Sequence, residues 1–383
     1  MIRAAMRPAK PLFWTSAALI VYTHAGYPAL LWLLARGRGT PQPPTPADAA
    51  AEPPPVSVVV AAYDEEDVIA RKVENVLALD YPRDRLELIV ASDGSSDATV
   101  ERARAAGADT VLDLPRGGKV RAQDQAVERA SGDIVVFSDA NATLAPDALR
   151  RLVARFDDPS VGYVCGQVRF SAGDGSNQEG VYWRYEVAVR ELESLVGDVT
   201  AGNGALYATR RDSYIVVDPR MGHDLSFPFN MVKRGWRAKY EPSATAAERT
   251  TPSNESEFVR KRRMMSHTWP ILLKGGILSP RGYSPLYALQ VVSHRVLRYV
   301  TPFLHALALG SNLALVRRGR VYRLALAAQL DLLAAAAAGG PRAPRPLRLA
   351  RYYLLVTASP AAGLWDYLRS GTPAGWEKAE GTR

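Results

Sequence analysis

Three runs of β-branched and apolar residues in this chain each end abruptly in polar residues and carboxylates. Residues 56–62 run into Tyr63, Asp64, Glu65 and Glu66. Residues 86–91 run into Ser92, Asp93, Gly94, Ser95, Ser96 and Asp97. Residues 134–137 run into Ser138, Asp139, Ala140 and Asn141. An unbroken apolar run of this length reads as a strand buried on both faces of an α/β sheet. Ligands of such sheets sit in the crevice beyond the carboxyl ends of the strands. The chain therefore gathers acidic and small polar residues where a ligand would lie. An acidic crevice suits sugar hydroxyls and a metal-bound phosphate.

Helical patterns alternate with these strands. Residues 65–79 form the first, with apolar positions at Val68, Ile69, Val73, Val76 and Leu77. Residues 97–106 form the second, after a Ser-Ser-Asp cap signal. Residues 119–130 and 146–156 complete the set, with Pro146 in a first turn. Strands alternating with helices predict a mostly parallel sheet covered on both faces.

The flanks are different in kind. Residues 11–34 are nearly free of charge, about long enough to cross a bilayer, and carry Trp14, Tyr27 and Trp32 towards their ends. The rival reading is a cleaved signal peptide. The apolar part is long for one and no clear small-residue cleavage site follows it, so a retained anchor is favoured. Arg3, Arg7 and Lys10 before the span and Arg36 and Arg38 after it nearly balance, leaving orientation open. Residues 40–55 are Pro- and Ala-rich, as in an extended linker. Beyond residue 282 come apolar stretches at 283–316, 321–338 and, more weakly, 352–368. Arginines separate them. Bundled membrane helices fit best, and an Ala/Leu-rich soluble helical cap is the alternative.

The net charge of +9, clustered around apolar stretches, fits an anionic membrane surface. No zinc-finger spacing or basic-aromatic repeat points to nucleic acid. Cys165 is the only cysteine, so no intrachain disulfide forms, which fits a reducing compartment.

Seven motifs in order along residues 55–280 make the chain resemble a family 2 glycosyltransferase. This is the membrane-attached, inverting kind with a GT-A nucleotide-diphospho-sugar fold. The resemblance implies a mixed α/β sheet with helices on both faces plus N- and C-terminal transmembrane helices. It divides the chain into an anchor (1–38), a Pro-rich linker (39–55), a GT-A domain (56–281) and C-terminal membrane helices (282–383). The turn through Ala61, Ala62, Tyr63, Asp64 and Glu65 is implied to lie against the nucleotide, with Asp64 where Asn is common. A helix N-cap at Asp64 fits the same residues. Asp93 is implied to contact the base and Gly94 to let backbone approach closely. Lys119, after Arg116-Gly117-Gly118, is implied to reach the sugar nucleotide. The glycines before the helix offer backbone N–H groups to phosphate. Asp139 and Asn141 occupy the Asp-x-Asp signature that holds ribose and a divalent metal, Mg²⁺ or Mn²⁺. A neutral amide there holds a metal less tightly.

Asn203 and Gly204 resemble the floor of the acceptor side. Gly222-His223-Asp224 matches an acidic pair whose second member is the catalytic base. That makes Asp224 the base, with His223 replacing an acid on the acceptor side. Arg260 and Arg263 stand in the place of the Gln-x-x-Arg-Trp motif, and arginine matches diphosphate geometry. Met264 replaces its Trp, which counts against a processive synthase. A lipid-binding basic patch fits the same arginines. The resemblance implies a nucleotide-diphosphate donor, a UDP-sugar, and a hydroxyl acceptor on a lipid-linked or growing glycan. Work in cell-surface polysaccharide synthesis would place it in the cell membrane, multi-pass, with a cytoplasmic catalytic domain. Two alternatives stand beside it: transfer to a polyprenyl phosphate, and a degenerate scaffold subunit motivated by Asn141, His223 and Met264.

Overall fold

Alternating apolar residues along the central strands find partners on both sides, which is why the strands sit inside the molecule. In the computed structural model, residues 8–37, 52–171, 179–249, 254–372 and 375 are described. Most of the expected linker, residues 39–51, lies outside them. The chain divides into two compact units. One comprises residues 35–251, 270–288 and 372–383, and the other residues 1–34, 252–269 and 289–371.

The first unit holds an eight-stranded sheet of order β3-β2-β1-β4-β7-β6-β8-β5. Its strands are β1 (Val56–Ala62), β2 (Leu86–Asp93), β3 (Thr110–Leu114), β4 (Ile134–Asp139), β5 (Thr143–Leu144), β6 (Val161–Ser171), β7 (Tyr207–Arg210) and β8 (Arg237–Arg249). Strands β3, β2, β1 and β4 run parallel, and β7 then joins β4 antiparallel. In register, Val60 of β1 lies between Val90 of β2 and Ser138 of β4. The polar ends of the three apolar runs thus open on one edge of the sheet.

Val58, Val60, Leu88, Val90 and Val136 face one hydrophobic cluster. It includes Ile69, Val73 and Val76 of α2 (Ile69–Leu77), Ala103 of α3 (Thr99–Ala105) and Leu149 and Leu152 of α5 (Ala148–Val153). Val59, Ile89, Val135 and Phe137 face another. There they meet Ala122 and Ala126 of α4 (Lys119–Arg129) and Phe227 and Met231 of α7 (His223–Lys233). Between α5 and α7 lies α6 (Glu179–Val196). Each fully buried Val or Leu contributes about 1.5–3 kcal/mol relative to exposure.

Two helices begin later than their patterns predict. Helix α2 starts at Ile69 rather than residue 65. Asp64 takes a left-handed φ of 49°, and the N–H groups of Asp64, Glu65 and Glu66 donate to Ser95 Oγ, Thr99 Oγ1 and Asp97 Oδ2. Helix α3 starts at Thr99 because Asp97 Oδ1 accepts the Thr99 N–H in the turn before it.

The second unit is helical. Helix α1 (Ala9–Arg36), α9 (Pro285–Arg318) and α10 (Arg320–Ala338) are each long and apolar enough to cross a membrane. Helices α8 (Asn254–Leu273) and α11 (Arg345–Ser370) complete the set. The weaker stretch 352–368 lies inside α11, which does not meet that criterion. Helix α1 packs along α9, and α11 along α9 and α10. Arg262 pairs with Asp366, and the Trp269 indole donates to the Pro360 carbonyl at 2.9 Å. Residues 252–269, within the expected catalytic segment, belong to this unit.

Candidate active site

The loops after β1 and β2 are tied into one rim. The Asp64 carboxylate accepts the Ser96 N–H at 2.7 Å, answering the bonds from Asp64, Glu65 and Glu66 described above. Ala62 is fully buried at the end of β1, and Glu65 is buried in the rim. Tyr63 is half-buried, and the Arg116 guanidinium lies 3.3 Å over its ring centroid.

Asp93 is 1% exposed. Its carboxylate accepts from Arg116 Nη1 at 2.7 Å and from the Gly117 and Gly118 N–H groups at 2.6 and 2.9 Å. The glycine N–H groups expected to face a phosphate are therefore turned inward onto Asp93. A buried carboxylate needs donors, and these backbone groups are the ones the loop supplies. Gly94 sits at φ 70°, and a Cβ there would meet the Arg116 backbone N at 2.8 Å. Close backbone approach at Gly94 is thus to residue 116 of the same protein.

At the end of β4, Asp139 pairs with Lys119, the first residue of α4. Both are partly exposed, at 22% and 23%. Asn141 is half-buried one turn further. Beneath them lies Lys72 of α2, which is 3% exposed. Its ammonium donates to Ser138 Oγ and to the Ala142 carbonyl, both at 2.7 Å. It thereby spans the whole Asp139–Asn141 turn. Burial pushes the Lys72 pKa down to about 7, against the opposing pull of Asp139 and Glu248. Ser138 Oγ in turn donates to the Ala205 carbonyl at 2.7 Å.

The segment 202–205 joins this end of β4 to Asp224. A Cβ on Gly204 would stand 3.2 Å from Asp139 Oδ2 and 3.3 Å from Lys119 Nζ. Two residues earlier, the Gly202 N–H donates to the Asp224 carbonyl at 2.7 Å. Asp224 is half-buried near the start of α7. Arg190, 4% exposed, donates to the Gly202 carbonyl at 3.1 Å and braces this segment.

Asn203 and His223 hold structure rather than line the surface. Asn203 is buried, donates to the Gly166 carbonyl at 2.7 Å and accepts the Leu206 N–H at 2.9 Å. His223 is 4% exposed, and its Nδ1 lies 2.8 Å from the Tyr207 hydroxyl, which also accepts from Gln123. Its ring packs 4.1 Å from that of Phe227. Burial, reinforced by the charge of Lys119, drops the His223 pKa to about 3, so it is neutral. An ionised acid could not occupy this aromatic pocket without a large desolvation cost, which accounts for a histidine here.

Arg260 and Arg263 lie on α8 in the helical unit. The Arg260 guanidinium is held by Glu257 at 2.8 Å. Among the described residues no group of three or more His, Cys, Asp or Glu is arranged to hold a metal ion.

Lys72, Arg116 and Arg190 were not singled out from the sequence. Lys72 had a signal. It falls on the stripe Ile69-Lys72-Val73-Val76, where a charge on an apolar face demands a buried partner. Arg116 had only its place in the Gly-Gly-Lys loop, and Arg190 had none.

Residues 57–215 match the family model described as Glycosyl transferase family 2. Among curated proteins, a poly-beta-1,6-N-acetyl-D-glucosamine synthase of Staphylococcus aureus (strain MSSA476) is 29% identical over 201 residues. That covers 49% of this chain and 48% of the relative. An N-acetylglucosaminyltransferase of Rhizobium leguminosarum bv. viciae is 28% identical over 236 residues, 55% of this chain and 54% of its own. The chain spans about half the length of the curated relatives it matches. A mannosyltransferase from Pyrobaculum calidifontis, solved in complex with GDP-Man and Mn2+, superposes with a TM-score of 0.70 at 24% identity. It covers 94% of this chain and 99% of that one, and it shares the fold. With the strand-end geometry above, these matches make residues 57–215 a family 2 glycosyltransferase domain of the GT-A fold.

Proposed function

We propose that this protein is an inverting glycosyltransferase that moves a sugar from a nucleotide-diphosphate donor to an acceptor hydroxyl, with Asp224 as the base. The observation that carries this reading is the 202–205 segment. It approaches the Asp139 carboxylate and the Lys119 ammonium at Gly204 and bonds the backbone carbonyl of Asp224 at Gly202, so one short stretch of backbone links the Asp139–Lys119 pair to residue 224.

The nucleotide base lies at the Tyr63–Arg116 face, which Asp93 fixes from below. Lys119 meets the diphosphate, exchanging its Asp139 partner for phosphate oxygens. Asp139 and the Asn141 carbonyl fit a divalent cation, since Mg²⁺ is commonly held by one or two carboxylates plus substrate phosphates. When bound, Mg²⁺ or Mn²⁺ offsets charge on the diphosphate. The acceptor oxygen attacks the anomeric carbon from the face opposite the diphosphate. Its proton passes to the Asp224 carboxylate, and the anomeric carbon–oxygen bond breaks with the electron pair leaving on the nucleotide diphosphate.

No side chain among the described residues donates a hydrogen bond to the Asp224 carboxylate, which leaves its oxygens open to a hydroxyl. The donor is a UDP-sugar and the acceptor a lipid-linked or growing cell-surface glycan. That assignment leans on the curated relatives, named as a poly-N-acetylglucosamine synthase and an N-acetylglucosaminyltransferase. Helices α1, α9 and α10 span the cell membrane, with the catalytic domain cytoplasmic, where nucleotide sugars are made.

The test is nucleotide release by detergent-purified protein across a panel of nucleotide sugars, with membrane extract as acceptor and with or without Mn²⁺ or Mg²⁺. Release from one UDP-sugar, abolished by chelation, is expected. No release from any donor would refute the reading.

A further inference from the structure

Two of the long helices break their regular turn where they meet. Helix α1 contains a π-turn at Tyr22–Gly26 and α9 another at Val291–Val296. Such turns are rare and concentrate at functional sites. Here they touch. The Tyr22 hydroxyl lies 2.8 Å from Ser293 Oγ, and the Tyr27 ring centroid 5.9 Å from that of His294.

The residues gathered at this seam are polar. Ser293, His294 and Arg295 are buried, and one turn on Arg298 places Nη1 at 3.4 Å from His294 Nε2. Helix α11 adds Tyr353. Its hydroxyl lies 2.8 Å from His305 Nε2 and its ring packs edge-on to His24. Neither α1 nor α9 contains an Asp or Glu, so these helices supply cations and neutral hydrogen-bonding groups only.

Depth adds to the argument. The first π-turn ends ten residues before Arg36, and the second begins six residues after Pro285. At 1.5 Å per residue these are about 15 and 9 Å from the helix ends that lead into the catalytic segment. Ionisable groups at such a level are costly and mark ligand or ion sites. Arginine with imidazole and hydroxyl donors matches a phosphate.

We propose that this seam binds the phosphate headgroup of a lipid whose chain stays in the bilayer, and that it thereby holds a lipid-phosphate carrier of the acceptor glycan. The proposal rests on the reading of α1 and α9 as membrane spans and on no step of the transfer reaction.

The experiment follows thermal unfolding of full-length protein in neutral detergent with three probes: farnesyl phosphate, dilauroyl phosphatidic acid and farnesol. A saturable upward shift with phosphate and none with farnesol is expected. A larger shift with farnesyl phosphate assigns an isoprenoid carrier, and equal shifts assign any lipid phosphomonoester. Arg298→Gln should weaken the response about tenfold, the loss of roughly one charged hydrogen bond, while Arg298→Lys keeps most of it. No shift with either phosphate, an equal shift with farnesol, or an unchanged response in Arg298→Gln would overturn the site. If Arg298→Gln does not fold, the farnesol comparison on the parent protein still decides. Protein that stays with membranes until detergent is added, yet gives no phosphate-dependent shift, refutes the site and leaves the membrane reading standing.

Discussion

A buried lysine that bonds to Ser138 and Ala142 on either side of the Asp139–Asn141 turn does more for this site than its chemistry suggests. Lys72 holds both ends of the turn carrying Asp139 and Asn141. Groups that orient ligand-bearing residues from behind are worth about 10–100-fold in metal affinity or activity. Lys72→Met is therefore expected to raise the Mn²⁺ concentration for half-maximal nucleotide release by that range. An unchanged metal titration would remove Lys72 from the account.

Asp124 offers a test of the electrostatics. Burial raises its pKa to about 6, partly offset by the hydrogen bond from Tyr214 and helped by Glu128. A folded pKa above the ordinary 3.8 means that the group's stabilisation is complete below about pH 3.8 and is lost as pH rises through about 6. Asp124→Asn cannot ionise, so its unfolding midpoint should gain on the parent's between pH 4 and 7. Parallel curves would contradict the shift. The motifs named Asp139, Lys119 and Asp224, and the structure brings Lys119 to Asp139 and the 202–205 segment to both ends. No sequence pattern shows that Asp93 and His223 turn inward, because burial decides that.

The elements around the site depend on one tight approach. Loop 116–118 passes so close to Gly94 that a Cβ would collide with backbone, and the glycine also holds a positive φ. Gly94→Ala is expected to cost about 1–3 kcal/mol, read as a lowered urea midpoint, and to loosen Arg116 from Tyr63. A midpoint within error of the parent's would show that the loop has room. Strands β1, β2 and β4 were legible because an unbroken apolar run has few alternatives. The starts of α2 and α3 were not. Their first turns are claimed by side chains of the neighbouring loop, a tertiary bond that helical periodicity does not encode. Strands β6 and β8 went unpredicted for a related reason. Polar residues such as Lys239 and Glu241 interrupt β8, and Glu241 finds its partner in distant Arg155.

At the scale of the whole molecule, an α/β unit and a helical unit share one chain. The long apolar helices were legible from hydropathy and length, whereas the placement of residues 252–269 with the helices was not, because α8 is rich in charge. Among the described residues three helices meet the length and composition for a span, and on the proposed membrane reading two of them suffice without the third. Deleting residues 1–37 should leave the protein in the membrane fraction after a high-salt wash. Release into the soluble fraction would show that α9 and α10 do not span.

The central claim is that Asp224 is the base and Asp139 and Lys119 hold the donor. It is tested most directly by measuring, on one preparation of Asp224→Asn and one of parent protein, both transfer to acceptor and calorimetric binding of the donor nucleotide. The account predicts a fall in turnover of about 10²–10⁴-fold with donor affinity unchanged. Turnover within a few-fold of the parent's would contradict it.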